Sequence, residues 1–446
     1  MKRFIKIIGL FLVVFLVSLA SLFLYTHRAK KNVIDKTKDV YIVEDSTGFN
    51  LFRKGKLFGI KGAAGNGEHL EALSDIGGNT IRLYDTINIQ SILDRAHSNN
   101  IAVIVDIPIP KYDKKYNFYS DEENIIVLKS TVKNFVNTYK NHPALLFWNL
   151  GNELEYPEVL IKNDFIKAFN DLIDMVHDID PNHPVGTSNQ YDRWQILSIN
   201  FHSPNLDFLG FNIFGSLWSL NSRYKELSYI IKQLPYYISE YGNSGPWEST
   251  LTPWDAPIEQ TSTKKGEQYR NQYNLYIAID ENSMGSLVFY WAQKQERTHT
   301  WFSIFDDEGR KSQVYYEMQA CWDNSSIIND FPPKLKEMTI DGKRAEDELI
   351  YKPNDIKTAS LLLDGEIDNT FKYQWEIYEE GWYYKIYDIE NKPILISKSP
   401  DNQGDLIFTF KTPNIEGPYR IFVHVYDEKG NFSTANIPFY VLEAND

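Results

Sequence analysis

Asn141-His142-Pro143-Ala144-Leu145-Leu146-Phe147-Trp148-Asn149-Leu150-Gly151-Asn152-Glu153 decides how this chain is read, because it is an apolar strand that runs directly into an Asn-Glu pair. A second stretch, Tyr236-Tyr237-Ile238-Ser239-Glu240-Tyr241-Gly242, has the same form and ends on Glu240. Working outward from these two, short β-branched or aromatic runs alternate with amphipathic stretches from Leu57 to about Trp322, the pattern of βα units on a parallel sheet. The strands read as Leu57–Ala64, Thr80–Tyr84, Ile101–Pro108, Leu145–Asn152, Pro184–Ser188, Asp207–Phe214, Tyr236–Tyr241 and Ser286–Gln293. Helix candidates between them are Gly67–Ile76, Ile89–Ser98, Glu123–Lys140, Asn163–His177, Arg223–Gln233 and Lys265–Glu281, most with apolar residues three and four apart.

Eight such units predict an α/β fold of the (β/α)8 TIM-barrel type. Glu153 then ends the fourth strand and Glu240 the seventh, across the mouth where barrel chemistry sits. A Rossmann-like sheet is the structural competitor, since Gly62, Gly65 and Gly67 suggest a glycine-rich loop. Leu70 stands where the third fingerprint glycine belongs, and Asp85 without it is weak support for nucleotide binding.

The texture changes after Trp322. Phe331-Pro332-Pro333 reads as a linker, and residues 334–446 alternate without helical period, with candidate strands Ala359–Leu363, Phe371–Tyr378, Trp382–Tyr387, Leu406–Lys411, Tyr419–Tyr426 and Phe439–Leu442. This predicts a C-terminal Ig-like β-sandwich, with Trp375 and Trp382 serving as core or as carbohydrate contacts. At the other end, Lys2, Arg3 and Lys6 precede an apolar run from Ile7 to Tyr25, and Arg28, Lys30 and Lys31 follow it. As a helix that run is about 28 Å long, close to a bilayer's hydrocarbon thickness, so residues 1–31 read as a membrane anchor or signal segment. Cleavage after Ser18-Leu19-Ala20 would leave Ser21-Leu22-Phe23-Leu24-Tyr25 on the mature end, which favours an uncleaved transmembrane anchor. Residues 32–325 are then the barrel domain; basic residues flank the apolar run on both sides and decide its orientation poorly, so a place outside the cytoplasm is expected mainly from function.

Composition narrows the partners. A net charge of −14 argues against a nucleic-acid partner, which needs a basic surface. The chain has 10 Trp, 29 Tyr and 26 Phe, enough for large aromatic cores or for rings stacked on sugar faces. Cys321 is its only cysteine, which excludes an intrachain disulfide and a thiolate cluster. Among the nine histidines no pair stands at helical ligand spacing beside an acid, so no metal site and no cofactor is expected. A Gly-x-Ser-x-Gly nucleophile elbow is also lacking.

Two carboxylates across a cleft suit glycosidic bond cleavage, in which one protonates the leaving oxygen while the other captures or stabilises the oxocarbenium-like centre. At this point the chain, from roughly Phe49 to Trp322, resembles the clan A glycoside hydrolases, especially the family 2 and family 5 barrels. His142-Pro143 with Trp148 and Gly151-Asn152-Glu153 is similar to that clan's fourth-strand signature, and Ser239-Glu240-Tyr241-Gly242 to its seventh-strand segment. The resemblance implies Glu153 as acid/base, Glu240 as nucleophile, Asn152 on the sugar 2-hydroxyl, Arg82 supporting the nucleophile, and Trp291 as the aromatic floor of the sugar subsite. It also implies a carbohydrate substrate and a retaining mechanism.

On the sixth strand Asn212 is kept, but Phe214 stands where a Tyr hydroxyl often contacts the nucleophile, leaving Tyr84, Tyr241 or Tyr290 to substitute. The β-sandwich domains that precede the barrel in family 2 are absent. Trp218, Trp247, Trp254 and Trp301 fall in loops at the catalytic face, as stacking subsites or as lids, with Trp301 taken as a substrate contact and His299 as a weaker candidate. Asp106, ending the third strand, is either a sugar contact or a rim ion pair. The function expected is thus a retaining hydrolase of a β-linked oligo- or polysaccharide, with a β-glucan transglycosylase or a non-catalytic polysaccharide-binding protein as alternatives.

Overall fold

The structure is a computed structural model, and it describes residues 12–14, 16–18, 20–21, 35–46, 48–116, 118–323, 330–365, 368–380, 391–400 and 405–443. A short antiparallel sheet comes first: β1 (Val40–Asp45), β2 (Gly48–Arg53) and β3 (Lys56–Leu57). Eight parallel strands follow and close into a barrel: β4 (Ile60–Gly65), β5 (Thr80–Leu83), β6 (Ala102–Ile107), β7 (Leu145–Asn152), β8 (Val185–Gln190), β9 (Phe208–Asn212), β10 (Tyr236–Tyr241) and β11 (Ser283–Phe289). The helices between and after them are α1 (Leu70–Asp75), α2 (Ile89–Ser98), α3 (Glu122–Tyr139), α4 (Asp164–Ile179), α5 (Arg193–His202), α6 (Leu220–Leu227), α7 (Ser262–Gln272) and α8 (Gln313–Trp322).

The two-residue period of a strand sorts each side chain to the barrel interior or to the helix layer. On β6, Ala102 and Ile104 face the interior cluster, while Val103, Val105 and Ile107 join the core beneath the helices. The interior is filled by Ile104, Leu146, Phe147, Phe208, Tyr237, Leu287 and Phe289, with Phe147 and Phe208 ring centroids 4.4 Å apart. Full burial of such a side chain contributes roughly 1.5–3 kcal/mol, so a few of these residues match the stability of a small domain. The strands' N-terminal ends would expose that filling to water. The leading sheet covers them: Val40 and Leu51 join the interior cluster, Val40 N–H donates to Asn182 O at 3.1 Å, and Arg53 Nη2 to Pro143 O at 2.7 Å. Sequence pattern places these residues in the barrel domain without revealing the sheet, because β3 is only two residues long and exposed.

The C-terminal strands are β12 (Leu335–Ile340), β13 (Ile350–Tyr351), β14 (Ile356–Leu363), β15 (Lys372–Glu379), β16 (Leu395–Lys398), β17 (Ile407–Lys411), β18 (Gly417–Tyr426) and β19 (Phe432–Val441). They pair as a three-stranded sheet, β12-β14-β17, and a five-stranded sheet, β13-β19-β18-β15-β16. One core, including Ile340, Leu361 and Phe410 from the first and Trp375, Ile421 and Phe439 from the second, joins them face to face. Trp375 is therefore core, and the segment around Trp382 lies outside the described residues.

Buried polar bonds tie the sheets to the barrel. Arg420 donates to Glu380 Oε2 at 2.7 Å, Asn436 Oδ1 at 2.7 Å and Pro257 O at 2.8 Å, and Asn436 Nδ2 donates to Glu259 Oε2 at 2.8 Å. Most of the apolar run Ile7–Tyr25 lies outside the described residues. Residues 12–14, 16–18, 20 and 21 within it are helical and exposed, and among the described residues no helix is long and apolar enough to cross a membrane. The transmembrane segment expected from sequence is thus without support in the structure.

Candidate active site

The strand parity that fills the barrel base with apolar groups places polar ones at its C-terminal mouth. Continuing inward from Ile104, β6 presents Asp106, and its neighbour β5 presents Arg82, paired in register with Ile104. Arg82 is fully buried and Asp106 nearly so, at 0% and 1% exposure. The guanidinium grips Asp106 with Nε at 3.0 Å and Nη2 at 2.7 Å, and its Nη1 lies 3.1 Å from Glu240 Oε1. Two-point pairing of this kind fixes the planar cation firmly.

Asn152 and Glu153 could not both face the mouth from a regular strand, where successive side chains alternate. The pairing of β7 with β8 shifts register between Asn149 and Asn152, and Gly151 takes φ +71° there. A Cβ at Gly151 would meet Leu154 Cδ2 at 2.4 Å, so glycine suits this bend for space as well as for backbone. Glu153 follows with φ +51°, its N–H held by Ser188 O at 2.8 Å. A second register shift, where β9 pairs with β10 between Ile238 and Glu240, accompanies the inward turn of Glu240.

One hydrogen-bonded array then joins the two carboxyls. Arg82 can only donate, so the Asn152 atom it touches at 2.8 Å is Oδ1, which also accepts from Asn212 Nδ2 at 3.0 Å. Asn212 Nδ2 donates to Glu153 Oε1 at 3.0 Å as well, while its own Oδ1 accepts from Ser239 Oγ at 2.7 Å. The chain of bonds fixes every amide orientation. It directs the Asn152 NH2 away from the array and leaves Glu153 Oε2 outside it.

The electrostatics follow from one buried cation held between two buried acids. Burial pushes the Glu240 carboxyl up to about 8, against the pull of Arg82 and with a further upward push from Glu153. Asp106 is raised too, by burial, with Arg82 opposing. Arg82 serves both acids, so its charge does not cancel the burial of either. The Tyr84 hydroxyl is buried without a well-formed hydrogen bond, yet it sits close enough to Glu240 to lower that carboxyl while its own pKa is driven far upward, first by burial. Of the three tyrosines considered in place of Phe214, it is Tyr84 that meets Glu240. Tyr241 turns outward to Met318 Sδ at 3.5 Å, and Phe214 packs on Phe289, Phe302 and Trp247.

Glu153, Glu240, Arg82, Asn152 and Asn212 are thus brought together. The two tryptophans are not. Trp291, expected as a sugar floor, is fully buried among Phe305, Tyr315 and Trp322, with its N–H on His69 O at 3.0 Å. Trp301, expected as a substrate contact, is 2% exposed and donates to Ser244 O at 3.0 Å. Neither offers a free face, because aromatic packing between the last strand and its helix outweighs exposure at the cleft. Trp254 is covered by Tyr440, whereas Trp218 and Trp247 remain exposed in the loops after β9 and β10. Asp106 is the ion pair and not a sugar contact. Ser239 and Ser188 were missed, although the parity of β10 and β8 puts both inside the barrel.

This closed barrel, with two glutamates at the ends of β7 and β10 and an arginine between them, is the architecture of a clan A glycoside hydrolase. Residues 80–251 match the family described as "Glycosyl hydrolases family 2, TIM barrel domain", in line with a glycoside hydrolase of that clan. Over 392 residues the chain is 19% identical to a curated protein of Formosa agariphila that carries the name of a β-glucuronidase, covering 77% of this chain and 45% of that one. The fold is similar to that of a Bacteroides uniformis β-glucuronidase (TM-score 0.51, 13% identity, 91% of this chain and 48% of that one). It is also similar to a family 2 β-galacturonidase of Eisenbergiella tayi bound to galacturonate (TM-score 0.51, 15% identity, 64% of this chain and 55% of that one). The chain therefore spans about half the length of these relatives.

Proposed function

We propose that the chain is a retaining glycoside hydrolase acting on a β-linked oligo- or polysaccharide. The observation that carries this reading is the array Glu240–Arg82–Asn152–Asn212–Glu153, which ties two carboxyls from opposite strands of the barrel into one mouth. The ionised Glu240 attacks the anomeric carbon as the bond to the leaving oxygen breaks, and Glu153 passes its proton to that oxygen. Water then attacks the glycosyl ester and gives its proton to Glu153, and Glu240 leaves as a carboxylate. Asn152 directs its NH2 to the 2-hydroxyl, and Arg82 favours the charged form of Glu240.

The test is to assay the full chain, Glu240→Ala and Glu153→Ala on aryl β-glycosides, β-glucuronides and β-galacturonides included because two relatives carry those names. Loss of turnover in both variants is expected. Azide should rescue Glu240→Ala to an α-glycosyl azide and Glu153→Ala to a β-glycosyl azide, whereas full activity in either variant removes the reading.

We further propose that residues 1–31 anchor the protein to a membrane, with 32–325 and 334–446 forming the barrel and an Ig-like sandwich outside the cytoplasm. The charge-flanked run Ile7–Tyr25 supports this. Resistance to carbonate extraction, and cleavage of the barrel by protease added to intact cells, are the results expected.

A further inference from the structure

Away from the carboxylate pair, three side chains from separate parts of the chain converge where the barrel meets the sheets. His299, in the loop after β11, sets Nε2 3.3 Å from Nε2 of His424 on β18, and that nitrogen is 3.7 Å from Glu376 Oε2 on β15. The three donor atoms all lie within 4.8 Å of one another. Glu376 and His424 are buried, and His299 is half-buried. Register puts Gln374 opposite His424 and Glu376 opposite Phe422, so Glu376 and His424 are diagonal neighbours on one sheet face.

Two imidazoles this close are joined either by one N–H···N bond or by a shared ion, and the ring geometry accommodates an ion between them. At a Zn–N distance of about 2.05 Å and a tetrahedral angle, the nitrogens lie about 3.3 Å apart and the ring centroids about 5.2 Å. A head-on N–H···N bond of the same N···N length puts the centroids about 5.6 Å apart, and bending it brings them to about 5.3 Å, so both arrangements fit the spacing and the third ligand is what favours an ion. The observed centroid separation is 5.3 Å, beside an N···N distance of 3.3 Å. The carboxylate oxygen is 3.7 Å from the His424 nitrogen and within 4.8 Å of the His299 ligand atom, so a rotation of the Glu376 side chain brings it to a ligand position. Tyr378 Oη donates to Glu376 Oε2 at 2.9 Å, the kind of outer hydrogen bond that orients a ligating carboxylate.

Two lysines oppose a cation here: Lys398 Nζ is 3.8 Å from Glu376 Oε1, and Lys392 lies over the Tyr378 ring. A hard, oxygen-seeking ion such as calcium would find too few oxygens. Two imidazoles and one carboxylate suit a borderline transition ion.

We propose that His299, Glu376 and His424 form a site for a divalent ion of the zinc class, with water as fourth ligand. The ion pins the loop after β11, which also carries Lys294 and Glu296 near the mouth, to the C-terminal sheets. The site is separate from the glycosidase chemistry and stands or falls without it.

The test uses the full chain, stripped with chelator and titrated with Zn2+ and with Co2+. One tight equivalent of Zn2+ per chain is expected, together with the visible absorption of tetrahedral Co2+ and a rise in Tm that EDTA reverses. His299→Gln and His424→Gln each weaken that equivalent by about tenfold or more and remove the Co2+ absorption. Absence of a tight equivalent in the wild type, or the same affinity and spectrum in both variants, overturns the proposal. If the variants fail to fold, the wild-type Tm decides alone: no shift with Zn2+ means that the histidines are joined by a hydrogen bond and no metal.

Discussion

Replacing Glu240 by Gln should stabilise the protein, and by an amount that grows with pH. Glu240 is 6% exposed, and burial lifts its carboxyl from the ordinary 4.5 to about 8. The difference is about 3.5 units, so at about 1.4 kcal/mol per unit the folded chain loses on the order of 5 kcal/mol when this group ionises. The sign follows from proton binding. Between pH 4.5 and 8 the unfolded chain has released this proton while the folded chain keeps it, so wild-type stability falls as pH rises and the loss is complete above about 8.

A glutamine side chain in the same place has no such titration. Urea unfolding of wild type and Glu240→Gln, followed by Trp fluorescence at pH 5 and pH 9, should show a small gap at pH 5 that widens by up to ~5 kcal/mol at pH 9. Attack requires the Glu240 carboxylate, so the acid limb of kcat/KM should lie in the same window in which stability declines. A gap of equal size at both pH values would show that the Arg82 ion pair compensates for burial, and the electrostatic account of the site would be wrong.

Asp106→Ala leaves two donors of the buried Arg82 without an acceptor and should cost about 3–5 kcal/mol in denaturant unfolding. Asp106→Asn keeps an acceptor and should cost less, and because Arg82 then serves Glu240 alone, the acid limb of kcat/KM should move down by about 1–3 units. Gly151→Ala forces a Cβ against Leu154 at φ +71° and should cost about 1–3 kcal/mol, with kcat falling more than KM changes as Asn152 and Glu153 swing out of line. Asn212→Ala cuts Glu153 from the array and leaves the buried Ser239 hydroxyl without its acceptor, so it should lower kcat/KM by about 10²-fold and cost about 1–3 kcal/mol, checked by kinetics beside thermal melts.

The strands were legible because their side chains alternate. Leu145–Asn152 and Tyr236–Tyr241 have the bounds expected, and the other six barrel strands shift by a few residues at their ends. Helix bounds drifted further where the apolar stripe is weak: the segment expected at Arg223–Gln233 forms at Leu220–Leu227, and α5 and α8 were not seen. In the site, Arg82, Asn152, Glu153, Asn212 and Glu240 could be found from strand ends and family likeness. Trp291 and Trp301 could not be placed correctly, because a tryptophan after a strand fits a cleft or a core equally well in one dimension. His299 and His424 are 125 residues apart, with no local spacing to suggest a pair.

By itself the sequence determined the barrel, the two acidic strand ends and the apolar N-terminal run, since period, charge and turn residues are local properties of the chain. Tertiary structure alone decided which acid Arg82 serves, that it serves two at once, and how far burial raises Glu240. Those outcomes depend on distances across the barrel, set by how eight strands close on one another and what fills the space between them.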